Sequence, residues 1–508
     1  MPARFCSPQA CLFFALWQCA VAAAPETLDI AQDCGCIADN STSNTRALQA
    51  CLDRAGARPG STVLVPRGVF LTATVTVPSY TRLLFQSGGW LQGSNAKEEY
   101  GEDWDYWHVV QSLNSTNVTL AGECGSPSSC GIHGNMWGMV GAYDPTQRDY
   151  IPRSWAGWRG CVGECRVKNL ALIDARSATV SGFALLYASD WTSLFRRCRG
   201  LSVARMFIRS PPNWPNGDGM DLESGEDIAI SQCDISTGDD SIAMRSGNCN
   251  PLRTPWPEFP ISPLRNVTVT RCSLSSSSSA IKVENLFQRD HGNISGVLVD
   301  ACTITSSNRG VGVWQRVAGP SGGAMSNLVF SNLHIQAGFV WSSNYWGSGE
   351  ALVVTSVPED AGQEARGLPG IHGIRFENIT AFAENGALFA ALGQATTNPL
   401  ALTGLVLRNV SLTIGRWSTP QASNTFAQHD FRPLDAGAPS PELIPAPVNG
   451  LYLEGIADGA LQGVAVAFAP PSQPYWSAGG RRSPGSCFNI SATAHVSISP
   501  DCTCTPIA

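Results

Sequence analysis

Six segments in the middle of the chain repeat one pattern of side chains without repeating one sequence. In each, short runs that alternate aliphatic and polar residues are bounded by Asn, Asp, Ser or Gly, which predicts short β-strands joined by turns. Successive segments start about 30 to 46 residues apart, enough for three strands and their turns per unit. The segments are 226–236, 265–275, 295–305, 326–336, 372–382 and 403–413.

A unit of this kind cannot bury its apolar face alone, so successive units must stack into a solenoid with a continuous core. Cys233, Cys272 and Cys302 occupy the same place in three successive units, as stacking requires. We therefore predict an all-β fold, a right-handed parallel β-helix. A β-propeller is the weaker interpretation, because its blades need four antiparallel strands and clear hairpin turns.

The two ends of the solenoid carry different signals. Residues 40–56 hold a helical apolar stripe that ends at a glycine, which predicts a helix capping the N-terminal end. Residues 417–450 are rich in Pro and polar residues and predict a long loop excursion, and residues 485–508 form a cysteine-bearing tail. We interpret residues 25–508 as a single domain.

Residues 1–24 have the layout of a signal peptide. Arg4 precedes an apolar run from Ala10 to Ala24 that ends in small residues, as secretory leaders do; a buried N-terminal helix is the alternative. A secreted, extracellular glycoprotein with disulfide bonds is therefore expected. Eight N-x-S/T sites begin at Asn40, Asn114, Asn117, Asn266, Asn293, Asn378, Asn409 and Asn489. The close cysteine pairs that could form disulfides are Cys34/Cys36, Cys124/Cys130, Cys161/Cys165 and Cys502/Cys504.

The charge balance narrows the range of partners. The net charge is −7 over 508 residues, and no run of Lys and Arg occurs. Neither nucleic acid nor an anionic membrane is expected as a partner, since both attract basic surfaces. No later segment reaches the roughly 18 apolar residues of a membrane span. We expect a monomer.

One stretch concentrates acidic residues. Residues 216–247 contain six Asp and two Glu, although charged residues make up only 14% of the chain. Asp218 and Asp239 are 21 residues apart, about one coil, which would stack them about 4.8 Å apart with Asp240 beside them. Repulsion among three such carboxylates should raise at least one pKa and leave an acid beside a base. Glycoside hydrolysis needs that division of roles.

Two structural interpretations compete with this one. Asp and Asn in solenoid turns often form hydrogen-bonded ladders, and Asp-Gly is a common turn dipeptide. Clustered aspartates also bind calcium.

The motifs around these aspartates resemble those of glycoside hydrolase family 28, the polygalacturonases and rhamnogalacturonan hydrolases. The sequence NGDGMD at 216–221 resembles the family motif N-T/S-D-G-x-D, and GDDSIAMRSG at 238–247 resembles G-D-D-C-I-A-x-K-S-G. Upstream, IHGNMWG resembles I-D-G-x-G-x-x-W. The resemblance implies a pectin-lyase-like solenoid that hydrolyses pectin-like or other acidic cell-wall or matrix polysaccharides.

The resemblance also implies a role for each aspartate. Asp239 would be the general acid, and Asp218 with Asp240 would activate water. The family inverts the anomeric configuration in a single displacement, so neither a covalent intermediate nor a cofactor or metal is expected.

Two departures from the family pattern bear on the substrate. The family's G-H-G motif is replaced by the serine run 275–279, and its R-I-K motif by a stretch with Gly312 and Trp314 at the Arg and Lys positions. Positive charge would have to come from other residues. The candidate substrate-binding residues are Asn216, Asp221, Lys282, Arg309, Trp314, Arg316 and Glu350.

Two other functions stay open at this point. A β-helix polysaccharide lyase would share the fold and would need calcium and an Arg or Lys base. A non-catalytic carbohydrate-binding solenoid would bind oligosaccharides without turning them over.

Overall fold

The structure is a computed structural model. It describes residues 24–101, 107–139, 143–144, 149–150, 166–212, 214, 216–247, 262–285, 292–317, 323–338, 349–358, 369–391, 401–415, 449–469, 475–477, 480–482, 486–491, 493 and 495–505.

The N-terminal coils contain the longest helix among the described residues. Helix α1 spans Thr45–Gly56, and its buried side chains, among them Leu48 and Leu52, face the first coil. Short 3-10 turns lie at Lys97–Glu99 and Pro127–Ser129, and helix α2 at Met136–Met139. The strands are β1 Thr27–Asp29, β2 Asp39–Ser43, β3 Thr62–Val65, β4 Gly68–Thr72, β5 Val75–Thr76, β6 Arg82–Gln86, β7 Gly89–Gly93, β8 His108–Leu113, β9 Thr119–Glu123, β10 Gly131–His133, β11 Tyr143–Asp144 and β12 Asp149–Tyr150.

The central coils follow with longer strands. They are β13 Lys168–Ile173, β14 Arg176–Ser181, β15 Ala184–Leu186, β16 Ser193–Ala204, β17 Phe207–Arg209, β18 Met220–Ser231, β19 Asp234–Thr237, β20 Ile242–Arg245, β21 Leu264–Thr270, β22 Ser273–Ser276, β23 Ser279–Asn285, β24 Ile294–Asp300, β25 Thr303–Ser307, β26 Arg309–Val317, β27 Met325–Ala337, β28 Glu350–Pro358, β29 Ile371–Ala383 and β30 Ala387–Ala391.

The C-terminal coils complete the solenoid. They are built from β31 Leu402–Thr403, β32 Val406–Ile414, β33 Leu451–Glu454, β34 Ala460–Gln462, β35 Ala465–Phe468, β36 Tyr475–Ser477, β37 Gly480–Arg482, β38 Phe488–Ser491, β39 Ser497–Ile498 and β40 Thr503–Thr505.

Thirty-six of these strands form one sheet in which each strand pairs in parallel with a strand one coil away. The pairs β11–β12 and β36–β37 are separate antiparallel hairpins. Aliphatic residues at alternate positions point inward, as Ile228 and Ile230 of β18 do above Leu201 and Val203 of β16. This architecture confirms the predicted parallel β-helix, and the stacking of apolar side chains between coils supplies its core. No helix in the described ranges is long and apolar enough to cross a membrane.

The cysteines confirm the predicted stacking and correct two of the predicted disulfides. Backbone hydrogen bonds join Ser273 N–H to Cys233 O and Thr303 N–H to Cys272 O, so the three predicted cysteines lie in successive coils as buried free thiols. The disulfide Cys124–Cys130 forms as predicted. The predictions for Cys34 and Cys504 were wrong, because they pair with partners 17 residues away. The observed bonds are Cys34–Cys51 and Cys487–Cys504.

The two remaining predicted segments have different outcomes. The tail predicted over 485–508 contributes β38, β39 and β40, which pair with β33, β34 and β35, so it builds the last coil. The excursion predicted over 417–450 lies outside the described residues except for its last two positions. The pair Cys161/Cys165 and the leader up to residue 23 also lie outside them.

Candidate active site

Two successive coils bring the three motif aspartates together. Asp218 precedes β18, and Asp239 and Asp240 precede β20. Oxygen atoms of all three carboxylates lie within 4.8 Å of one another, and all three side chains are buried. The clustering predicted from the sequence is therefore present.

The stacking partner of Asp218 differs from the prediction. Strand β18 pairs with β20 so that Met220 is opposite Ile242, an offset of 22 residues rather than 21. The N–H of Gly219 donates to the carbonyl of Asp240 at 2.9 Å. Asp240 thus stacks on Asp218 and Asp239 lies beside them, because the turn before β20 uses one more residue than the motif spacing suggests.

Glycines next to the aspartates allow the close backbone packing. A Cβ at Gly219 would lie 2.5 Å from the carbonyl oxygen of Ser241, and one at Gly238 would lie 2.3 Å from that of Pro211. Neither glycine could carry a side chain without moving backbone. The GDG and GDD patterns therefore reflect the tight approach of neighbouring turns, and this approach holds the carboxylates at fixed positions.

Each carboxylate has a different set of partners. Asp239 accepts the backbone N–H groups of Asn216, at 3.3 Å, and of Asp240, at 3.0 Å. Asp240 accepts the N–H of Ser279 at 3.0 Å and the Nζ of Lys282 at 2.6 Å. Asp218 Oδ1 is buried without a hydrogen-bond partner among the described residues. Two aspartates are thus held by donors, while one oxygen of the third is left unsatisfied.

The pKa values follow from this burial. Burial, with repulsion from Asp221, Asp239 and Asp240, raises the pKa of Asp218 well above its ordinary value. Burial also raises the pKa of Asp221 to about 8, although the Arg245 guanidinium opposes the shift. The raised pKa values favour the protonated forms of Asp218 and Asp221, which is the condition for an acid and a base to lie side by side.

A buried ionic network surrounds the cluster. Arg245 bridges Asp221, at 2.5 Å, and Glu284, at 2.9 Å. Lys282 Nζ lies 3.2 Å from Glu284 as well as 2.6 Å from Asp240. On the preceding coil Arg196 pairs with Glu223 at 2.6 Å. These side chains share the outward-facing positions of β16, β18, β20 and β23.

Arg245, Glu223 and Glu284 were not among the residues singled out from the sequence. The sequence pattern that could have indicated them is charge at alternate positions of strands one coil apart. It occurs in D-L-E at 221–223 and K-V-E at 282–284, and once in A-M-R at 243–245. Alternate strand residues share one face. Charges in this register on successive coils therefore predict an ionic network on the sheet.

The predicted substrate-binding residues fall into two groups. Asn216 lies at the cluster, where its side-chain oxygen accepts from Arg166 at 2.8 Å. Lys282 and Asp221 belong to the buried network, with 1% and 0% of their surface exposed. The structure therefore brings these three residues to the aspartates, Asn216 as an exposed side chain and Asp221 and Lys282 as members of a packed polar layer.

The remaining candidates lie two and three coils beyond Asp240. Ser279, Arg309 and Glu350 occupy one column above Asp240. Arg309 donates to Ser279 Oγ at 3.2 Å, lies 3.8 Å from Glu350 and stacks its guanidinium 4.6 Å above the ring of buried Trp314.

The register shows where Gly312 and Trp314 lie, the two positions at which we expected the family's Arg and Lys to be replaced. Gly312 and Trp314 of β26 lie over Lys282 and Glu284. A Cβ on Gly312 would lie 1.8 Å from the Trp314 ring, so the indole occupies the space that an Arg side chain at 312 would need. Arg316 belongs to the same strand, and its side chain lies outside the described residues.

The same three carboxylates are the metal-capable group that the described residues contain. Carboxylate oxygens are the ligands that Ca²⁺ and Mg²⁺ prefer. In this cluster one oxygen of Asp240 already contacts Lys282, whose ammonium group takes the position of a counter-ion.

Fold and site together define a parallel β-helix with a buried carboxylate cluster on its outer face. The family model of "Glycosyl hydrolases family 28" matches residues 157–425, more than half of the chain. The chain belongs to this family and is a glycosidase.

Individual relatives agree with the family. A probable polygalacturonase of Vitis vinifera is 23% identical over 75% of this chain and 73% of its own length. An endo-polygalacturonase of Pectobacterium carotovorum subsp. carotovorum is 24% identical over 74% of this chain and 85% of its own. The solved family 28 exopolygalacturonase of Yersinia enterocolitica has a TM-score of 0.63 and 14% identity, covering 93% of this chain and 78% of its own. This last likeness shows the fold.

Proposed function

We propose that the protein is a secreted hydrolase of pectin-like or other acidic cell-wall or matrix polysaccharides. The observation that carries the proposal is the cluster of Asp218, Asp239 and Asp240, whose oxygens lie within 4.8 Å on two successive coils. Membership in a family of glycosidases favours hydrolysis over the lyase and the non-catalytic alternatives.

Under this proposal the aspartates divide acid and base roles. Asp239 protonates the leaving oxygen, and Asp218 with Asp240 activates the attacking water. Asp240 is suited to be a base because Lys282 and the Ser279 N–H both favour its charged form. The raised pKa of Asp218 favours a proton on this carboxyl in the free enzyme. Passing that proton to Asp239 makes Asp239 the acid and leaves Asp218 ionised to activate the water.

We propose that the reaction inverts the anomeric carbon, on the strength of the family resemblance. Inverting enzymes usually separate their two carboxyl groups by about 6.5–9.5 Å and retaining ones by about 5–5.5 Å. The closest carboxylate oxygens here lie within 4.8 Å of one another. Inversion therefore requires that the sugar and water enter between carboxyl groups that lie close together in the free enzyme. Proton NMR of the first-formed anomer tests this step.

The polygalacturonase relatives support an anionic substrate, and the two arginines nearest the cluster outside the buried network are the candidates to contact it. Arg309 lies in the same column as Asp240, and Arg166 contacts Asn216 at the other side of the cluster. With Gly312 and Trp314 in place of Arg and Lys, the grip on a uronate differs from that of polygalacturonases. We therefore propose that the substrate is a pectic or related acidic glycan. Unsubstituted polygalacturonate is one candidate for it.

The remaining features of the proposal concern the whole chain. Residues 1–24 act as the export signal, residues 25–508 form one domain, and the protein works as a monomer. Disulfides such as Cys487–Cys504 suit an oxidising compartment.

The test is a screen of the purified secreted protein on polygalacturonate, rhamnogalacturonan and sulfated glycans. Reducing ends should appear without the ultraviolet absorbance of an unsaturated sugar. Release of unsaturated products would indicate a lyase, and binding without any release would indicate a carbohydrate-binding solenoid.

A further inference from the structure

We propose that Lys282 is a positioning residue for catalysis, which keeps Asp240 ionised and in place as the base and does not itself bind the substrate. This inference rests on the proposed function and assigns a different role to a residue that the sequence suggested for substrate binding. Four observations carry it: the burial of Lys282, its contacts, the charge excess of the network and the register of β23.

Lys282 is enclosed by protein. Only 1% of its surface is exposed. It extends from the middle of β23, and its Nζ contacts Asp240 Oδ2 at 2.6 Å and Glu284 Oε2 at 3.2 Å. An ammonium group held by two carboxylates has little capacity left for a sugar carboxylate, and moving it toward a substrate would break its buried ion pair with Asp240 and leave Glu284 with Arg245.

The charges around Asp240 make a counter-ion necessary. On β16, β18, β20, β23 and the turns that lead into β18 and β20, six buried carboxylates are accompanied by three buried cations. Buried carboxylates that lack a compensating positive charge take up protons. Without Lys282, Asp240 would be the next carboxylate to do so. The other charged groups on these elements are Asp218, Asp221, Glu223, Asp239, Glu284, Arg196 and Arg245. Those on the adjoining coils are Arg166, Lys168 and Asp190 on one side and Arg309 and Glu350 on the other.

The register shows why this cation belongs to Asp240 in particular. Lys282 lies over Ala243 of β20, three residues after Asp240. The small side chain of Ala243 leaves room for the lysine to extend back toward the aspartate, and the Ser279 N–H fixes the other oxygen of Asp240 at 3.0 Å. Asp240 is therefore held at both oxygens, and one of the two donors carries a full charge.

The decisive variant is Lys282→Met combined with Glu284→Gln, which removes one buried cation and one buried anion together. The acid limb of its kcat/KM profile should move to higher pH by about 1 to 3 units, because Asp240 then needs a higher pH to ionise. KM on the best substrate of the screen should change less than kcat. Lys168→Met combined with Asp190→Asn is the matched control, since it also removes one buried cation and one buried anion, which pair at 2.5 Å on an earlier coil; its acid limb should stay in place.

An unmoved acid limb in the folded double variant would overturn the proposal. A raised KM with an unmoved acid limb would indicate that Lys282 binds the substrate, as the sequence suggested. Circular dichroism and thermal melting confirm that each variant is folded.

A second measurement needs no activity and therefore separates this inference from the proposed function. At pH 7, Lys282→Met with Asp240→Asn should melt at a higher temperature than Lys282→Met alone, because the second change removes an uncompensated buried charge. The gap should close at acidic pH, where Asp240 takes up a proton. Equal melting temperatures at pH 7 would contradict an ionised Asp240 held by Lys282, whatever the enzyme hydrolyses.

Discussion

Two stacks of polar side chains on successive coils have opposite designs. In one, Asn332, Asn378 and Asn409 form a ladder in which each amide donates to the oxygen one coil earlier, at 3.1 Å in both steps. In the other, Asp218 and Asp240 stack beside Asp239. The ladder is exposed and neutral, and its donors and acceptors match. The aspartate stack is buried, and its members repel one another.

The difference teaches how to separate a structural ladder from a functional cluster in a solenoid. Amides carry both donors and acceptors, so a column of them satisfies itself. Carboxylates only accept, so a column of them needs protons or cations from elsewhere. Here the cations are Lys282 and Arg245, and Asp218 Oδ1 is buried without a hydrogen-bond partner among the described residues.

The largest expected effect comes from neutralising the aspartate stack. Asp240→Asn should lower kcat by about 10²- to 10⁴-fold, because the base is lost. The fold should survive, since Lys282 keeps Glu284 as a partner. Initial rates of reducing-end release, with circular dichroism as the control for folding, provide the measurement. Near-normal rates would show that the aspartate stack, like the asparagine ladder, has no role in catalysis.

The next effect concerns pH. The pKa of Asp221 is raised to about 8 in the folded protein, so the folded state binds a proton that the unfolded chain releases above about pH 4. The stability due to this group is full below pH 4 and is lost as the pH rises toward 8. The free energy of unfolding of Asp221→Asn minus that of the wild type should therefore rise by about 1.4 kcal/mol per pH unit across that window.

Denaturant unfolding at several pH values tests the linkage. The quantity to follow is the free energy of unfolding of Asp221→Asn minus that of the wild type. A difference that shrinks as the pH rises would mean that Asp221 is ionised in the folded protein and stabilised by Arg245.

The smallest effect comes from the ladder. Asn332 has a φ of 53°, so Asn332→Gly keeps the left-handed backbone while removing hydrogen bonds to Asp300 and from Asn378. The loss should be about 1 kcal/mol of unfolding free energy with unchanged activity, measured by the same denaturation and rate assays. A fall in activity comparable to that of Asp240→Asn would remove the distinction between the two stacks.

The fold was predictable because it depends on a pattern that recurs along the chain. Alternation within each unit and the matching positions of Cys233, Cys272 and Cys302 indicated stacked coils, and stacking is what the structure shows. The disulfides of Cys34 and Cys504 were not predictable from proximity, since partners 17 residues away approach only once the coils are wound.

The three aspartates of the candidate site were predictable from the sequence, and their geometry was less so. The motif spacing brought the three aspartates together, but the position that stacks on Asp218 depends on the length of one turn and falls on Asp240. The burial of Lys282 and Trp314 could not be deduced, because whether an outward-facing strand residue is covered depends on what packs above it. Their proposed roles therefore come from the contacts, where the sequence indicated only charge and aromaticity.

The central claim is that the aspartate stack is an acid/base centre, and Asp239→Asn tests it most directly. Asparagine keeps one of the two oxygens that accept the backbone N–H groups of Asn216 and Asp240, and it cannot protonate a leaving group. Reducing-end release on the substrate that the wild type hydrolyses best should fall by at least about 10²-fold, with an unchanged circular dichroism spectrum. Hydrolysis at the wild-type rate by the folded variant would contradict the account.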